Sequence, residues 1–252
     1  ILFVSPGKNI LITDSRYEEE YKKSAIKCSV RITKAKNIGQ IILEVCAETN
    51  SRSIGFEADH FTYQGYLGLK RLLGNKICCP ALDDRAGVAS ILRCLEILKD
   101  KKHNCKLSVL FSVQEETGGC GAHVGGFSAS ADESIAVDVS FAMAPDMQRE
   151  KCADIGKGPM LGISPTLDYE MGRTLEKIAK AKSIPYQLEI MGGRTGTNAD
   201  EIQISGRGTK MALLSIPLKN MHTSIEILDL EDVENLARMM AEYILERSEV
   251  NA

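Results

Sequence analysis

Leu107-Ser108-Val109-Leu110-Phe111-Ser112-Val113-Gln114-Glu115-Glu116-Thr117-Gly118-Gly119 is the stretch on which the fold reading turns. It is an apolar, β-branched run that stops at two adjacent acids and a glycine pair. The run reads as a buried strand, and the acids sit where its carboxyl end would emerge. In open α/β sheets, ligand sites collect at the carboxyl ends of strands. The same grammar recurs outward from this point. Ala81-Leu82-Asp83-Asp84-Arg85-Ala86-Gly87 places two acids at the start of a helix expected over about 85–98, with Val88, Ile91, Leu92, Leu95 and Leu98 at helical spacing. Ile135-Ala136-Val137-Asp138-Val139 carries an acid on an apolar strand, and Ile216-Pro217-Leu218-Lys219-Asn220-Met221-His222 ends a strand near a histidine. Long amphipathic helices are expected over 168–182 and 229–246, and strands over 186–190 and 211–216.

The amino-terminal part alternates in the same way. Residues 1–13 read as a hairpin around Ser5-Pro6-Gly7-Lys8-Asn9. A helix through Arg16–Lys23, a strand near Cys28–Ile32, a helix over 38–48, a strand at Ser53–Phe56 and a helix over 62–73 follow. Residues 74–82 read as irregular. The fold class is therefore α/β throughout.

Composition narrows the function. The 252 residues carry a net charge of -3, which disfavours broad electrostatic binding to nucleic acid. No apolar run approaches the roughly 20 residues that span a bilayer. The eight cysteines include no C-x-x-C pair, so a zinc knuckle is not supported and free thiols in a reducing cytoplasm are expected. No signal-peptide pattern opens the sequence.

Asp83, Glu115, Glu116, Asp138 and His222 together offer carboxylates and one imidazole, the ligand chemistry of a co-catalytic divalent metal centre. Each has a plainer reading. Asp83 or Asp84 could cap the helix starting at Arg85, the glutamates could be a solvated strand end, and His222 could be a loop histidine.

Residues from about 73 to 248 resemble the second half of the tetrahedral-aminopeptidase type of metallopeptidase (peptidase family M forty-two, glutamyl or deblocking aminopeptidases). The stretches ALDDRAG, VQEETGGCGA, AVDVSFA, GKGPMLGISP, GRTGTNADEIQISG and SIPLKNMHTSIEILDLEDVE match in order. The resemblance implies a three-layer zinc-peptidase-like sheet, incomplete here. It implies a cytoplasmic aminopeptidase with two divalent ions, zinc, cobalt or manganese. Asp83 would bridge the ions, Asp138 would hold the first, and Glu116 with His222 the second. Glu115 would be the general base, and the Asp83–Asp84 peptide would be cis. Thr197 and Asn198 would line the substrate pocket. Relatives take a further ligand from a His-x-Asp motif, absent among His60, His103, His123 and His222. A single bound ion is thus also open. The dimerisation domain of the family is missing, although a homo-oligomer remains open.

Residues about 1–72 resemble the amino-terminal domain of creatinase and proline-aminopeptidase-type proteins, on ILFVSPGKNILITDSRYEEEYKK and IGFEADHFTYQGYLGLKRLL. The chain then reads as two parts, 1–72 and 73–252, joined near Leu72–Asn75. The alternative to an active peptidase is a non-catalytic fusion that binds one metal, a peptide or a partner protein. Glycoside hydrolysis is disfavoured, because its two carboxyls must flank a sugar bond rather than gather as ligands.

Overall fold

The computed structural model describes residues 2–5, 8–14, 29–33, 41, 44, 45, 48, 75–144 and 147–250. The chain divides into two compact units, Ile1–Cys78 and Cys79–Ala252. The helices expected over 16–23 and 62–73, and the strand at 53–56, lie outside the described residues, as does His60.

In the first unit, β1 (Leu2–Ser5) and β2 (Lys8–Asp14) form the expected antiparallel hairpin, with Phe3 opposite Ile10. β3 (Ser29–Thr33) pairs parallel to β2. Ile41, Glu44, Val45 and Glu48 are helical, in the segment expected to be a helix. β4 (Lys76–Cys79) forms within the stretch read as irregular. Its Lys-Ile-Cys-Cys sequence is too short for a periodic signal, and Pro80 one residue beyond masked it.

The second unit is built on a mixed sheet of β5 (Glu133–Phe141), β8 (Lys210–Leu218), β6 (Met160–Ile163) and β7 (Gln187–Ile190), in that order. β5 runs parallel to β8, β8 antiparallel to β6, and β6 parallel to β7. β8 is the central strand. Met211, Leu213, Leu214, Ile216 and Leu218 are buried on its two faces, which explains its unbroken apolar sequence. Around the sheet lie α1 (Leu82–Leu98), α2 (Cys120–Ala129), α3 (Tyr169–Ala181), α4 (Asn198–Ile202) and α5 (Leu230–Val250). α1 packs on α5 and β5, α3 on α5 and β6, and α2 on α4. α3 starts as its sequence demands, with the Asp168 carboxylate accepting from Met171 N at 2.9 Å.

Two expectations fail. Leu107–Val113 is not a strand, and its apolar side chains are exposed, Phe111 by 51% and Val113 by 67%. Composition reports what a segment would bury, whereas burial needs neighbouring elements, and among the described residues the approach of α2 at Gly121 and Gly125 leaves most of this segment's apolar surface uncovered. α1 buries its large apolar stripe only in part. Its inner face is Ala86, Gly87, Ser90, Cys94 and Leu98, while Val88 and Leu92 are exposed. Small residues let this helix approach the sheet and α5 closely.

Candidate metal centre

Three segments of the second unit converge: the entrance of α1, the turn before α2, and the loop between β8 and β9 (Glu226–Asp229). At the entrance of α1, Asp83 and Asp84 have non-helical backbone angles and are joined by a cis peptide bond, as the resemblance implied. The helix proper begins after them. Asp84 then acts as its cap, Oδ1 accepting from Gly87 N at 2.8 Å. Gly87 is required there, since a Cβ at this position would lie 2.2 Å from Asp84 Oδ2. The capping role therefore belongs to Asp84, and the Asp83 side chain is left for other work.

Glu115 and Glu116 lie in a tight turn, not on an extended strand end. Gln114 is left-handed at φ 61°, and Gly119 N donates to Gln114 O at 2.8 Å. The expected carboxyl end of a strand is thus replaced by a turn. Gly121 closes this turn against the preceding segment, where a Cβ would meet Val113 O at 2.3 Å. His222 sits in the β8–β9 loop, itself left-handed at φ 61°, an uncommon conformation for a residue with a Cβ.

These elements bring Asp83, Glu116 and His222 together, with one ligand atom from each inside 4.8 Å. His222 Nε2 lies 3.1 Å from Asp83 Oδ2 and 3.4 Å from Glu116 Oε2. Glu115 and Asp138 are not in this trio. Asp138 stands on β5 opposite Ser215, nearly buried, its Oδ1 accepting from Val139 N at 2.8 Å. On the same sheet, Glu189 of β7 accepts from Ser215 Oγ at 2.8 Å and from Ser140 Oγ.

The electrostatics of these groups share one direction. Burial pushes Asp84 up to about 8, helped by the charge of Asp138 and opposed by the Gly87 N–H. Burial also pushes Asp138 up to about 7, against the Val139 N–H and with help from Glu115, Asp83 and Glu189. Asp83 is raised by burial and then by Glu116, with His222 opposing. Glu115 is raised by burial and by Glu116 and Asp83. Among the described residues no Lys or Arg pairs with any of them. A crowd of carboxylates with a single imidazole as counterweight is chemically short of positive charge. Oxygen and nitrogen donors of this kind suit zinc, cobalt or manganese. The residues present therefore fit a divalent ion.

Thr197 caps α4, its Oγ1 accepting from Ala199 N at 3.2 Å. Asn198 Nδ2 donates to Ser112 Oγ at 3.0 Å, and its buried Oδ1 has no partner among the described residues. Both sit at the start of a helix whose Glu201 meets His123 Nδ1 at 3.5 Å. His103 Nδ1 lies 3.2 Å from Cys105 O, and neither histidine joins the trio. Sequence reasoning missed Glu226, which is 2% exposed beneath the site. The available signal was an acid inside the apolar run Ile225-Glu226-Ile227-Leu228.

With this geometry in hand, comparison with known proteins is direct. The family model described as M42 glutamyl aminopeptidase matches residues 34–239. The match begins well ahead of the junction expected near 72. A lysyl aminopeptidase of Pyrococcus furiosus is 33% identical over 194 residues, covering 77% of this chain and 53% of that protein. Among solved structures, an aminopeptidase of the archaeon Desulfurococcus kamchatkensis aligns with a TM-score of 0.63 at 32% identity, covering 68% of this chain and 49% of the other. The TET1 peptidase of Pyrococcus horikoshii, which can assemble into a tetrahedron or a large octahedral shell, aligns at 0.56 and 28%, covering 69% and 52%. The chain spans about half the length of the curated relatives it matches. Among the described residues no helix is long and apolar enough to cross a membrane.

Proposed function

This chain belongs to the M42 glutamyl aminopeptidase family, and from that premise we propose that it is a metal-dependent aminopeptidase removing amino-terminal residues from peptides. The observation that carries the reading is the convergence of Asp83, Glu116 and His222 from three separate segments onto one spot. Bound divalent ions would supply Lewis acidity, lowering the pKa of a water and polarising a peptide carbonyl.

The chain's own residues divide the remaining work. Asp83, Glu116 and His222 would hold an ion, with Asp83 as the carboxylate that would be shared. Asp138, on β5, would add a donor for a second ion. Glu115 is the general base. It takes the proton of the attacking water and returns it to the departing amine. Its raised pKa, caused by burial and by the neighbouring Glu116 and Asp83, strengthens it as a proton acceptor. Thr197 and Asn198, at the start of α4, would line the substrate pocket. Self-association and a cytoplasmic location complete the proposal. The first is supported by the assembly of the Pyrococcus horikoshii relative.

The comparisons lend no support to a non-catalytic fusion. The direct test of the base compares hydrolysis of aminoacyl arylamides by the parent and by Glu115→Gln, with zinc or cobalt added. The variant should lose roughly 10²–10⁴-fold in rate, the usual worth of a positioned base, while still binding metal. Equal rates would remove Glu115 from the mechanism.

A further inference from the structure

Glu226 opens β9 and is 2% exposed. A carboxylate so deeply placed needs partners for both oxygens, and it has them. Oε1 accepts from His222 N at 2.9 Å, and Oε2 accepts from Asp83 N at 3.1 Å. One buried group therefore grips the backbones of two residues that come from different parts of the chain and whose side chains meet 3.1 Å apart. Neither of those backbones belongs to a regular helix or strand. Asp83 interrupts the helix at φ -80°, ψ 108°. His222 is left-handed, as is Asn220 two residues before it. A left-handed residue with a side chain persists where surrounding contacts hold it, and the Glu226 carboxylate on His222 N is such a contact.

We propose that Glu226 is a positioning residue that fixes the spacing of the Asp83 and His222 ligand atoms, so that the pair is preset for a divalent ion. The inference rests on the reading of Asp83, Glu116 and His222 as metal ligands. It explains why a glutamate is buried at the start of β9. Two N–H donors on separate elements need two acceptor oxygens at one point. A carboxylate provides both, whereas an amide provides one oxygen and a donor that would face an N–H. Side chains that orient ligands in this manner typically change metal affinity by roughly 10–100-fold when altered.

The experiment is a cobalt(II) titration of the metal-free chain, followed by d–d absorption and calorimetry, for the parent, Glu226→Gln and Glu226→Asp. The Gln variant should bind about 10–100-fold more weakly with a changed d–d spectrum. The Asp variant, which keeps two acceptors on a shorter arm, should fall between it and the parent. A Gln variant with unchanged affinity and spectrum, beside a parent that binds, overturns this inference alone. A parent that binds no cobalt overturns the metal-site reading and this inference with it. Should Glu226→Gln not fold, amide hydrogen exchange in the metal-free parent decides. The Asp83 and His222 amides should exchange more slowly than that of Ser224, and exchange as fast as Ser224 overturns the clamp.

Discussion

Asp83 Oδ2 lies 3.1 Å from His222 Nε2, joining the entrance of α1 to the loop that follows β8. The Asp83 side chain is 11% exposed and that of His222 63%. One partner is thus anchored in the fold, and the other closes over it from solvent. That asymmetry makes the histidine removable without damage to the core.

His222→Ala should therefore leave the melting temperature of the metal-free chain within a few degrees of the parent, since exposed substitutions usually change stability by no more than about 0.5 kcal/mol. Metal affinity should fall by more than the ~10–100-fold typical of an outer hydrogen-bond partner. Calorimetric zinc titration checks the affinity and thermal unfolding checks the fold. Undiminished zinc binding would exclude His222 as a ligand.

The acids of the site predict an unusual pH profile. Asp84 is raised to about 8 and Asp138 to about 7 from an ordinary value of 3.8, so the folded chain holds these protons more tightly than the unfolded one. Between those limits the unfolded state has already lost protons that the folded state keeps. Stability of the metal-free chain should thus fall as pH rises from about 4 to about 8. Metal binding requires deprotonated ligands, so zinc should raise the melting temperature more near the top of this window than near its foot. Thermal scans in chelator and in zinc across that range measure both slopes. Asp84→Asn should flatten the first, and an unchanged slope would refute the assignment.

Asp232 makes a separate prediction, away from the site. It is fully buried at the start of α5 and accepts from Gly156 N and Gly158 N, each at 2.7 Å. Asp232→Ala strands two backbone donors, at about 1–3 kcal/mol for each one left unsatisfied. Urea unfolding should show a loss in that range or somewhat above it. A variant as stable as the parent would mean that the 156–158 loop finds other acceptors.

Much of this was legible from residue order. The alternation of β5, β7 and β8 with α3 and α5 follows from strands and helices whose periodicities differ, and β8 declares its burial through an unbroken apolar run, whereas the four-residue β6 is too short to announce itself. Asp83, Glu116 and His222 were legible because acids and a histidine stand beside strand and helix ends. What stayed hidden depends on contacts between distant segments. Leu107–Val113 has the composition of a buried strand, yet its exposure is set by neighbours that composition does not report. The division of labour between Asp83 and Asp84 is decided by a glycine three residues on, which lets one carboxylate fold back onto the helix. Glu226 is one acid among the chain's 34 Asp and Glu until two N–H groups are seen to point at it.

The central claim is that this cluster runs peptide hydrolysis with divalent ions. It is tested most directly by removing metal from the purified chain with chelator, counting the ions that rebind, and following release of amino-terminal residues from a small peptide panel. Hydrolysis should vanish in chelator and return in proportion to the zinc or cobalt rebound. Hydrolysis that persists at full rate in chelator, or that stays absent with the ions bound, would contradict the account.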